Sequence, residues 1–528
     1  MITFSDFELH RNVHRAIHDM GFEEPSPIQA SAIPLILGGK DLLGQAQTGT
    51  GKTAAFGIPL IEKMSNDNKV QALVLTPTRE LAIQVSGELR KISKYKRTRT
   101  LPIYGGQSIG HQIRTLKQGV QVVIGTPGRI LDHLRRKTLR LDDVSMVVLD
   151  EADEMLDMGF IDDIKEIIGH TPDTRQTLLF SATMPNEIKD LSRRYMNNPE
   201  TVAINRKEVT APLIDQVYYK VLERNKMESL CRILDSEDIG LGIVFCRTKR
   251  GVDELTDALQ ERGYMADGLH GDLSQAQRDR VMKAFRDSTI ELLVATDVAA
   301  RGIDVGNVTH VINYDIPQDP ESYVHRIGRT GRAGRKGIAL TLVTPREMKQ
   351  LITIEKVTKS IIQPRNVPTL EEVAERQQGQ WRDQMVNLLS QDVDLSLFSS
   401  IVEELQHQFP LDKIASAALY TAFSSSLQVG EEEEVYNFGE TGATKGMVRF
   451  FMNVGRNVDI KPQDLVKEVS EMVGITSKSI GRIDIFEKFT FFEVTEEVAP
   501  FVYEALRQSR IKGARVNVEP AKPRGAKA

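Results

Sequence analysis

The chain has 528 residues, of which 40% are hydrophobic and 27% are charged, and its formal net charge is −5. This length predicts three or four domains, and this composition excludes a disordered or fibrous chain. No run approaches the ~18–20 apolar residues of a membrane span, no secretory leader is visible, and two cysteines are too few for a disulfide framework. We therefore expect a cytoplasmic protein that has no membrane partner.

Short apolar, β-branched runs alternate with helical patterns over the first two thirds of the chain. Runs of this kind indicate parallel strands that helices cover on both faces. The predicted strands are 73–76, 122–124, 146–149 and 177–180 and, after Pro212, 242–245, 291–294, 309–312 and 338–343. We therefore predict an α/β fold with two tandem parallel-sheet domains, 1–207 and 208–364.

Beyond residue 364 the strand pattern stops. Segment 365–440 has helical periodicity with 4 basic and 14 acidic residues, so we predict an acidic helical segment that includes a solvated hinge at Glu431–Glu434. Segment 441–520 has the order strand, helix, strand, strand, helix, strand of a small ferredoxin-like α+β domain. From Lys445 onward, 15 basic residues outnumber 11 acidic ones, which favours contact with phosphates. Residues 521–528 are predicted to be a basic tail.

A glycine-rich loop lies between a predicted strand and a predicted helix. Residues 46–53 read Ala-Gln-Thr-Gly-Thr-Gly-Lys-Thr, the context and composition of a loop whose backbone amides hold nucleotide phosphates. Lys52 would reach the β and γ oxygens, and the Thr53 hydroxyl would hold Mg²⁺. The predicted nucleotide-binding residues of the loop are Gln47, Thr48, Gly49, Thr50, Gly51, Lys52 and Thr53.

An acidic motif, Asp150-Glu-Ala-Asp153, follows the predicted strand 146–149. At the carboxyl end of a parallel strand, side chains face the crevice where α/β sheets bind their ligands. Asp150 would anchor Mg²⁺, largely through water, and Glu151 would act as the base that orients the attacking water. Lys52, Asp150 and Glu151 are therefore candidate catalytic residues.

Four further motifs stand in a fixed order with these two, at 21–29, 77–82, 126–129 and 181–183. Together they resemble the bacterial DEAD-box ATP-dependent RNA helicases, over roughly Phe4 to Val343, and the cold-shock (DeaD/CsdA-like) subfamily in particular. The resemblance implies two RecA-like domains that use ATP and Mg²⁺. It also implies that the Gln29 amide reads the adenine of ATP. Phe4 would stack on that base, or would alternatively be an ordinary core residue.

The resemblance assigns RNA-backbone contacts to both domains, through small residues and arginine forks. Arg329 and Arg332 match the arginine fingers that stabilise the transferring phosphoryl group, and Asp304 matches the acceptor for the ATP ribose. Fingers and phosphate loop lie on different domains, so hydrolysis should need closure of the cleft. Residues expected to couple hydrolysis to RNA binding are Ser181, Thr183 and His325. Residues expected to bind RNA are Pro77, Thr78, Arg79, Gly105, Gly106, Thr126, Gly128, Arg129, Gln275, Arg278, Thr296 and Arg301.

Residues 447–518 resemble the DbpA-type RNA-binding domain, an RRM-like fold. Phe489 and Phe491 lie on one face of the strand where such folds stack bases, and core packing is the alternative. Phosphate contacts are expected from Arg449, Arg482, Lys488, Arg510, Lys512 and Arg515 as a group. Leu370–Leu427 resembles the dimerisation region of the cold-shock subfamily, which implies a homodimer; a spacer within one chain is the alternative.

These features predict an enzyme that unwinds or remodels structured RNA locally at the expense of ATP. The resemblance points to ribosomal RNA precursors or mRNA as substrates, and to the large ribosomal subunit or the RNA-degradation machinery as partners. Ribosome biogenesis, RNA decay and a response to low temperature are the processes implied. The alternative is an ATP-gated RNA clamp that unwinds little, and Glu151, Arg329 and Arg332 favour turnover instead.

Overall fold

The computed structural model describes residues 3–46, 50–203, 214–300, 303, 305–331, 335–391, 393–423, 436–507 and 509–522. Within these residues lie two parallel sheets, three consecutive helices and a small antiparallel sheet. This confirms the α/β fold class and the order of the parts. The predicted border between the first two domains and the predicted hinge at Glu431–Glu434 lie outside the described residues. Among the described helices, none has the length and apolar character to cross a bilayer.

The first domain is built on a seven-stranded parallel sheet. Its strands are β1 Leu42–Gln45, β2 Ala72–Leu75, β3 Thr100–Ile103, β4 Val122–Gly125, β5 Met146–Leu149, β6 Gln176–Ser181 and β7 Glu200–Ala203. Its helices are α1 Arg11–Asp19, α2 Pro27–Leu37, α3 Lys52–Lys63, α4 Arg79–Ile92, α5 Ile109–Lys117, α6 Pro127–Arg135, α7 Ala152–Asp157, α8 Ile161–Ile168 and α9 Asn186–Tyr195. The strand order is β3-β4-β2-β5-β6-β1-β7. Two separate apolar cores cover the two faces, so every residue of β2, β4, β5 and β6 is buried.

The second domain repeats the topology of the first. Its strands are β8 Ile214–Lys220, β9 Leu241–Phe245, β10 Ala266–Leu269, β11 Leu292–Ala295, β12 Val308–Asn313, β13 Gly337–Val343 and β14 Gln363–Arg365. Its helices are α10 Lys226–Ser236, α11 Lys249–Glu261, α12 Gln275–Arg286, α13 Asp297–Ala300, α14 Pro320–Ile327 and α15 Met348–Thr358. The order β10-β11-β9-β12-β13-β8-β14 matches the first sheet strand for strand. Equivalent strand ends in the two domains therefore occupy equivalent places.

The acidic segment is helical, as its periodicity predicts. It consists of α16 Leu370–Ser390, α17 Ser396–Gln406 and α18 Leu411–Phe423. Helix α16 starts with a capping box, in which Thr369 Oγ1 accepts from the Glu372 amide and the Glu372 carboxylate accepts from the Thr369 amide. It packs against α10 of the second domain, whereas α17 and α18 leave many apolar side chains exposed.

The C-terminal module has the ferredoxin-like order that the sequence predicts. Its elements are β15 Met447–Met452, α19 Pro462–Val473, β16 Ile480–Ile485, β17 Thr490–Thr495, α20 Ala499–Leu506, β18 Arg510–Ile511, β19 Ala514–Arg515 and β20 Val518–Pro520. The sheet order is β16-β17-β15-β20. The last strand differs from the prediction at 514–518: residues 510–515 form a separate hairpin, and the strand that joins the sheet is β20. Phe438, three residues before the predicted start of the module, packs edge-on against Phe450 of β15 at 5.2 Å.

Candidate active site and RNA-binding edge

The strand order divides the carboxyl edge of the first sheet into two halves. The phosphate loop follows β1, the acidic motif follows β5, and the Ser181 motif ends β6; these three strands are neighbours. The residues predicted to bind RNA follow β2, β3 and β4, which are neighbours on the other side. The sheet thus gathers the two predicted sets into two adjacent sites, as parallel sheets do with ligand-binding loops.

The described part of the phosphate loop forms a cradle at the start of α3. Gly51 has φ +90°, a conformation that favours glycine, and a Cβ there would collide with the Gln29 amide. Lys52 is only 7% exposed, and no acceptor among the described residues lies within hydrogen-bonding reach of its Nζ. A buried ammonium without a partner is costly, and the phosphates of a nucleotide fit this position. Gln47, Thr48 and Gly49 lie outside the described residues.

Gln29 lies against this loop and binds it directly. Its Nε2 donates to the Gly51 carbonyl oxygen at 3.1 Å, and its Oε1 accepts from the Ser26 amide at 2.9 Å. Ser26 Oγ donates in turn to the Thr50 carbonyl oxygen at 2.8 Å. The start of α2 is therefore tied to the phosphate loop, and the adenine-reading role of Gln29 stays a prediction.

The acidic motif is buried where β5 meets α7. Burial raises the pKa of Asp150 to about 7, although the nearby Lys52 charge opposes this rise. Glu151 is also buried, adopts a left-handed conformation with φ +52°, and donates its amide to Asp150 Oδ1 at 3.1 Å. Burial disfavours the ionised form of Asp150, and a cation that binds together with the nucleotide would stabilise that form.

Asp153, the last residue of the acidic motif, holds the Ser181 motif. Its Oδ2 accepts from the amides of Ala182 at 3.0 Å and Thr183 at 2.8 Å, and from Thr183 Oγ1 at 3.0 Å. The Asp153 amide donates to Ser181 Oγ at 3.2 Å. These hydrogen bonds join residues 181–183 to the acidic motif, and the coupling role of Ser181 and Thr183 stays a prediction.

On the nucleotide side, the second domain closes over the acidic motif. His325 Nδ1 lies 3.2 Å from Glu154 Oε1, and Glu154 is not a predicted site residue. Burial lowers the pKa of His325, while Asp153 opposes that shift. Arg329 lines a small cavity together with Glu154 and His325, and it donates to the carbonyl oxygens of Ile303 at 3.0 Å and His325 at 3.2 Å. Arg301, Asp304 and Arg332 lie outside the described residues.

Arg326, between His325 and Arg329, has a structural role. Its guanidinium makes a two-point ion pair with Asp297 at 2.5 and 2.7 Å and donates to Asn313 Oδ1 at 3.1 Å. It also lies 5.0 Å from the centre of the Phe245 ring. This network joins the start of α13 to α14 and therefore supports the loop that carries Arg329.

On the RNA side, the two domains also touch. Glu80 Oε1 accepts from Arg79 Nε at 2.8 Å and from Arg278 Nη2 at 3.1 Å, so one carboxylate links the two predicted RNA-binding arginines. A Cβ on Gly106 would lie 3.2 Å from Arg79 Nη1 and 3.4 Å from Gln275 Oε1. The structure therefore brings Arg79, Gly106, Gln275 and Arg278 together from both domains.

The remaining predicted RNA residues lie at the open edge of the first sheet and at the equivalent edge of the second. Thr78 caps α4 by accepting from the Leu81 amide at 3.2 Å, and Thr126 precedes the first turn of α6. Cβ atoms on Gly105 or Gly128 would meet no atom within 4 Å, so a ligand can approach their backbone closely. Pro77 directly precedes Thr78, Arg129 lies in the first turn of α6, and Thr296 directly follows β11 of the second sheet.

Three regions of the chain match models of known protein families. Residues 26–191 match the DEAD/DEAH box helicase family, 225–334 the helicase conserved C-terminal domain, and 449–520 the DbpA RNA binding domain. The DEAD-box ATP-dependent RNA helicase CshA of Geobacillus kaustophilus is 57% identical over 420 residues, which cover 79% of this chain and 90% of that protein. The chain belongs to the DEAD-box ATP-dependent RNA helicases.

Further relatives agree with this assignment. CshA of Bacillus subtilis is 54% identical over 422 residues, which cover 80% of this helicase and 85% of that protein. The structure of Saccharomyces cerevisiae Dbp5 bound to RNA and ADP BeF3 aligns with a TM-score of 0.64 at 33% identity, over 71% of this chain and 98% of that one. The predicted class of enzyme is confirmed.

Phe4 of the helicase lies in the core of the first domain. It is 5% exposed, and its ring lies 5.9 Å from that of Phe7 and 6.0 Å from that of Phe22. This is the arrangement of the core-residue alternative, and stacking on the adenine stays a prediction.

Two acidic residues in the contacts between the helicase domains, Glu80 and Glu154, are not among the predicted site residues. Glu80 lies inside the motif 77–82, and Glu154 directly follows the acidic motif. Acidic residues are common in the first turn of a helix because they interact favourably with its dipole. Their presence there does not by itself indicate a contact between domains, so their position in or beside a motif is the only signal in the sequence.

Proposed function

We propose that this helicase couples Mg²⁺-dependent ATP hydrolysis to local separation or remodelling of structured RNA. The main support for this proposal is that the two domains contact each other at both ends of the cleft between them. Glu154 contacts His325 on the nucleotide side, and Glu80 contacts Arg278 on the RNA side. A cleft that both ligands share makes the binding of one favour the binding of the other. Strand displacement from a short RNA duplex tests this proposal.

The test separates a helicase from an ATP-gated clamp. For a helicase, we expect strand displacement with ATP and at most a small fraction of that rate without nucleotide. A clamp would hold the RNA in the presence of a non-hydrolysable ATP analogue and leave the duplex intact with ATP. Intact duplex together with normal RNA-stimulated ATPase would therefore contradict the proposal.

In this proposal, each group that phosphoryl transfer needs has a candidate residue in the two domains. Lys52 would bind the β and γ phosphates, while Thr53 and Asp150 would hold Mg²⁺, largely through water. The metal would neutralise charge on the phosphate oxygens. Glu151 would take the proton of the attacking water, and Arg329 with Arg332 would stabilise charge on the transferring group.

The C-terminal module would supply a second RNA surface, the aromatic ledge formed by Phe451, Phe486, Phe489 and Phe491. The rings of Phe486 and Phe489 stack at 4.7 Å, and those of Phe451 and Phe491 meet edge-on at 5.6 Å. Phe486 is 44% exposed. Helices α19 and α20 cover the opposite face of the sheet, and Phe450 and Phe492 fill the core there. A partly exposed aromatic cluster on the open face supports base stacking by Phe489 and Phe491.

Only part of the expected basic group supports phosphate binding. Arg449 pairs with Asp484 at 2.6 Å, and Arg482 pairs with the same carboxylate at 3.0 Å. Lys512 pairs with Asp464 at 2.9 Å. Lys488, Arg510 and Arg515 are exposed, and the last two lie directly opposite each other in the β18–β19 hairpin. Like charges placed opposite each other are destabilising in the free protein, which favours an anionic partner for this hairpin.

Separate variants should distinguish base stacking from phosphate contact. We expect Phe489→Ala to weaken binding of an RNA with an unpaired loop by about 5- to 150-fold, from ~1–3 kcal/mol of stacking, without changing the salt dependence. Lys488→Gln/Arg510→Gln/Arg515→Gln should instead make the negative slope of log association constant against log salt less steep by about two units. Fluorescence anisotropy at several salt concentrations measures both effects.

The control for this pair of variants is Lys467→Gln/Lys478→Gln, which removes exposed charges elsewhere on the module. It should leave affinity nearly unchanged, and ATP hydrolysis at saturating single-stranded RNA should be normal in all three proteins. Wild-type affinity and salt dependence in both test variants would exclude RNA binding by the aromatic ledge and by the exposed basic residues. That result would favour a protein as the partner of the module.

We propose that α17 and α18 pair two copies of the chain. Leu397 is 73% exposed and Phe398 is 60% exposed, and many large apolar side chains left exposed on neighbouring helices are typical of an interaction site. The other exposed apolar side chains from the end of α16 to α18 are Met385, Val386, Leu388, Leu389, Val393, Ile401, Leu405, Phe409, Leu411, Leu419 and Tyr420.

Light scattering should therefore find a dimer for the full chain and a monomer after truncation at Pro368. Leu397→Glu/Phe398→Glu should also give a monomer, because buried unpaired charges would oppose the interface. Glu403→Gln/Glu404→Gln, on the same helix, is the matched control and should stay dimeric. A monomeric full chain at micromolar concentration would leave the segment as a spacer.

Ribosomal RNA precursors or mRNA are the substrates we propose, with roles in ribosome biogenesis or RNA decay and at low temperature. The large ribosomal subunit and the RNA-degradation machinery are the corresponding partners. RNA crosslinking in cells, followed by sequencing of the crosslinked fragments, should recover one of these RNA classes. Crosslinks spread evenly over all transcripts would contradict the assignment.

A further inference from the structure

A buried chain of hydrogen bonds joins the two glycine and threonine segments of the RNA-binding edge. Gln112 on α5 and His133 on α6 are both completely buried. His133 Nε2 lies 3.0 Å from Gln112 Oε1, and Gln112 Nε2 donates to the Tyr104 carbonyl oxygen at 3.1 Å and to Gln107 Oε1 at 2.9 Å. At the other end, His133 Nδ1 lies 2.8 Å from Thr138 Oγ1.

Chemistry gives this chain one direction. The Tyr104 carbonyl oxygen only accepts, so the Gln112 amide nitrogen faces it and Gln112 Oε1 faces His133. His133 must therefore donate from Nε2. Burial lowers the pKa of His133, which favours the neutral ring, so Nδ1 is an acceptor that faces the Thr138 hydroxyl, and this hydroxyl also lies 3.1 Å from the His133 carbonyl oxygen. Hydrogen bonds aligned in one direction polarise one another, so this series of hydrogen bonds is a rigid connection between α5, α6 and the end of β3.

The hydrogen bonds from Gln112 reach Tyr104, one residue beyond the last backbone bond between these segments, which the Thr126 amide donates to the Ile103 carbonyl oxygen at 3.1 Å. Tyr104 directly precedes Gly105 and Gly106, which have no side chains, and a Cβ on Gly105 would meet open space. His133 lies one turn after Arg129 on the helix that starts beside Thr126. Gln112 therefore fixes the backbone before the glycine pair relative to the first turn of α6.

We propose that Gln112 and His133 are positioning residues that set the spacing between residues 105–106 and 126–129, so that both segments meet the backbone of one RNA strand. This inference rests on the proposed assignment of those two segments to RNA. Loss of the hydrogen bonds through Gln112 and His133 would let Gly105 and Gly106 move relative to α6. The nucleotide half of the sheet edge, which follows β1, β5 and β6, would be unaffected.

The test uses Gln112→Met, which keeps the side-chain length and removes both hydrogen-bonding groups. We expect the dissociation constant for single-stranded RNA, measured with a non-hydrolysable ATP analogue, to rise about tenfold. Nucleotide affinity without RNA, and kcat at saturating RNA, should stay within about twofold of wild type. His133→Leu should have the same effect, whereas His133→Gln, which can still donate to Gln112, should restore most of the RNA affinity.

The matched control is Ser86→Ala, because Ser86 is also buried in the first domain and its Oγ lies 3.3 Å from Thr100 Oγ1, away from both RNA segments. It should lower the melting temperature without changing RNA affinity. If Gln112→Met melts below the assay temperature, Gln112→Glu tests the same link, since a carboxylate can accept from His133 but cannot donate to Tyr104.

Arg129→Ala separates this inference from the RNA assignment on which it rests. Weakened RNA binding in Arg129→Ala together with wild-type affinity in Gln112→Met and His133→Leu would overturn the positioning role alone. Wild-type affinity in all three variants would overturn the RNA assignment and the positioning role with it. Weakened binding in all three, with Ser86→Ala normal, is the expected result.

Discussion

Glu151→Gln should lower the turnover of RNA-stimulated ATP hydrolysis by about 10²- to 10⁴-fold, the usual contribution of a positioned general base. The substitution keeps the size of the side chain and removes its ability to take a proton. The buried position of Glu151 beside Asp150 is unchanged, so binding of ATP and RNA should remain. Steady-state ATPase assays and binding of a labelled nucleotide measure the two quantities separately.

Lys52→Ala provides the contrast for this prediction. Because we propose that the buried Lys52 Nζ binds the phosphates, its loss should weaken nucleotide binding itself and raise the ATP concentration needed for half-maximal hydrolysis. Near-normal ATPase in Glu151→Gln would remove this residue from the role of the base. Loss of ATP binding in Glu151→Gln would show that the carboxylate mainly organises the site.

Arg329→Ala should lower turnover by about 10³-fold or more, judging from arginine fingers in GTPases, while ATP affinity changes much less. Arg329 lies in the cavity that Glu154 and His325 also line, so its charge is close to the place where the nucleotide site closes. The loss should therefore appear in the transition state rather than in ground-state binding. Arg329→Lys keeps a positive charge but lacks the planar guanidinium, so its turnover should lie between that of the wild type and that of Arg329→Ala.

Arg335→Ala is the matched control, because Arg335 follows in the same loop region but is exposed. Its Nη1 donates to the Gly306 carbonyl oxygen at 3.2 Å and to Asn307 Oδ1 at 2.9 Å. It should hydrolyse ATP normally. Equal losses in Arg335→Ala and Arg329→Ala, or a melting temperature lowered enough to explain the Arg329 result, would contradict a specific catalytic role.

The chemistry of each site could be predicted from the sequence because its residues are contiguous. The phosphate loop, the acidic motif and the segment 126–129 each follow an apolar strand, and a strand end fixes where the next few residues lie. For the same reason, the two α/β domains and the order of elements in the C-terminal module were predictable. The displaced last strand of that module was not, because the short hairpin at 510–515 has little periodicity of its own.

The tertiary structure alone decided which of these sites meet. Glu80 and Arg278 are 198 positions apart, and nothing in their local sequences indicates that they form an ion pair. The same holds for Gln112 with Tyr104 and His133, where three elements must pack before the hydrogen bonds exist. Pairing also selected among the basic residues of the module: Arg449 is held by Asp484, whereas Arg510 stays exposed. Such choices depend on distances between elements, and the spacing of residues along a chain does not contain those distances.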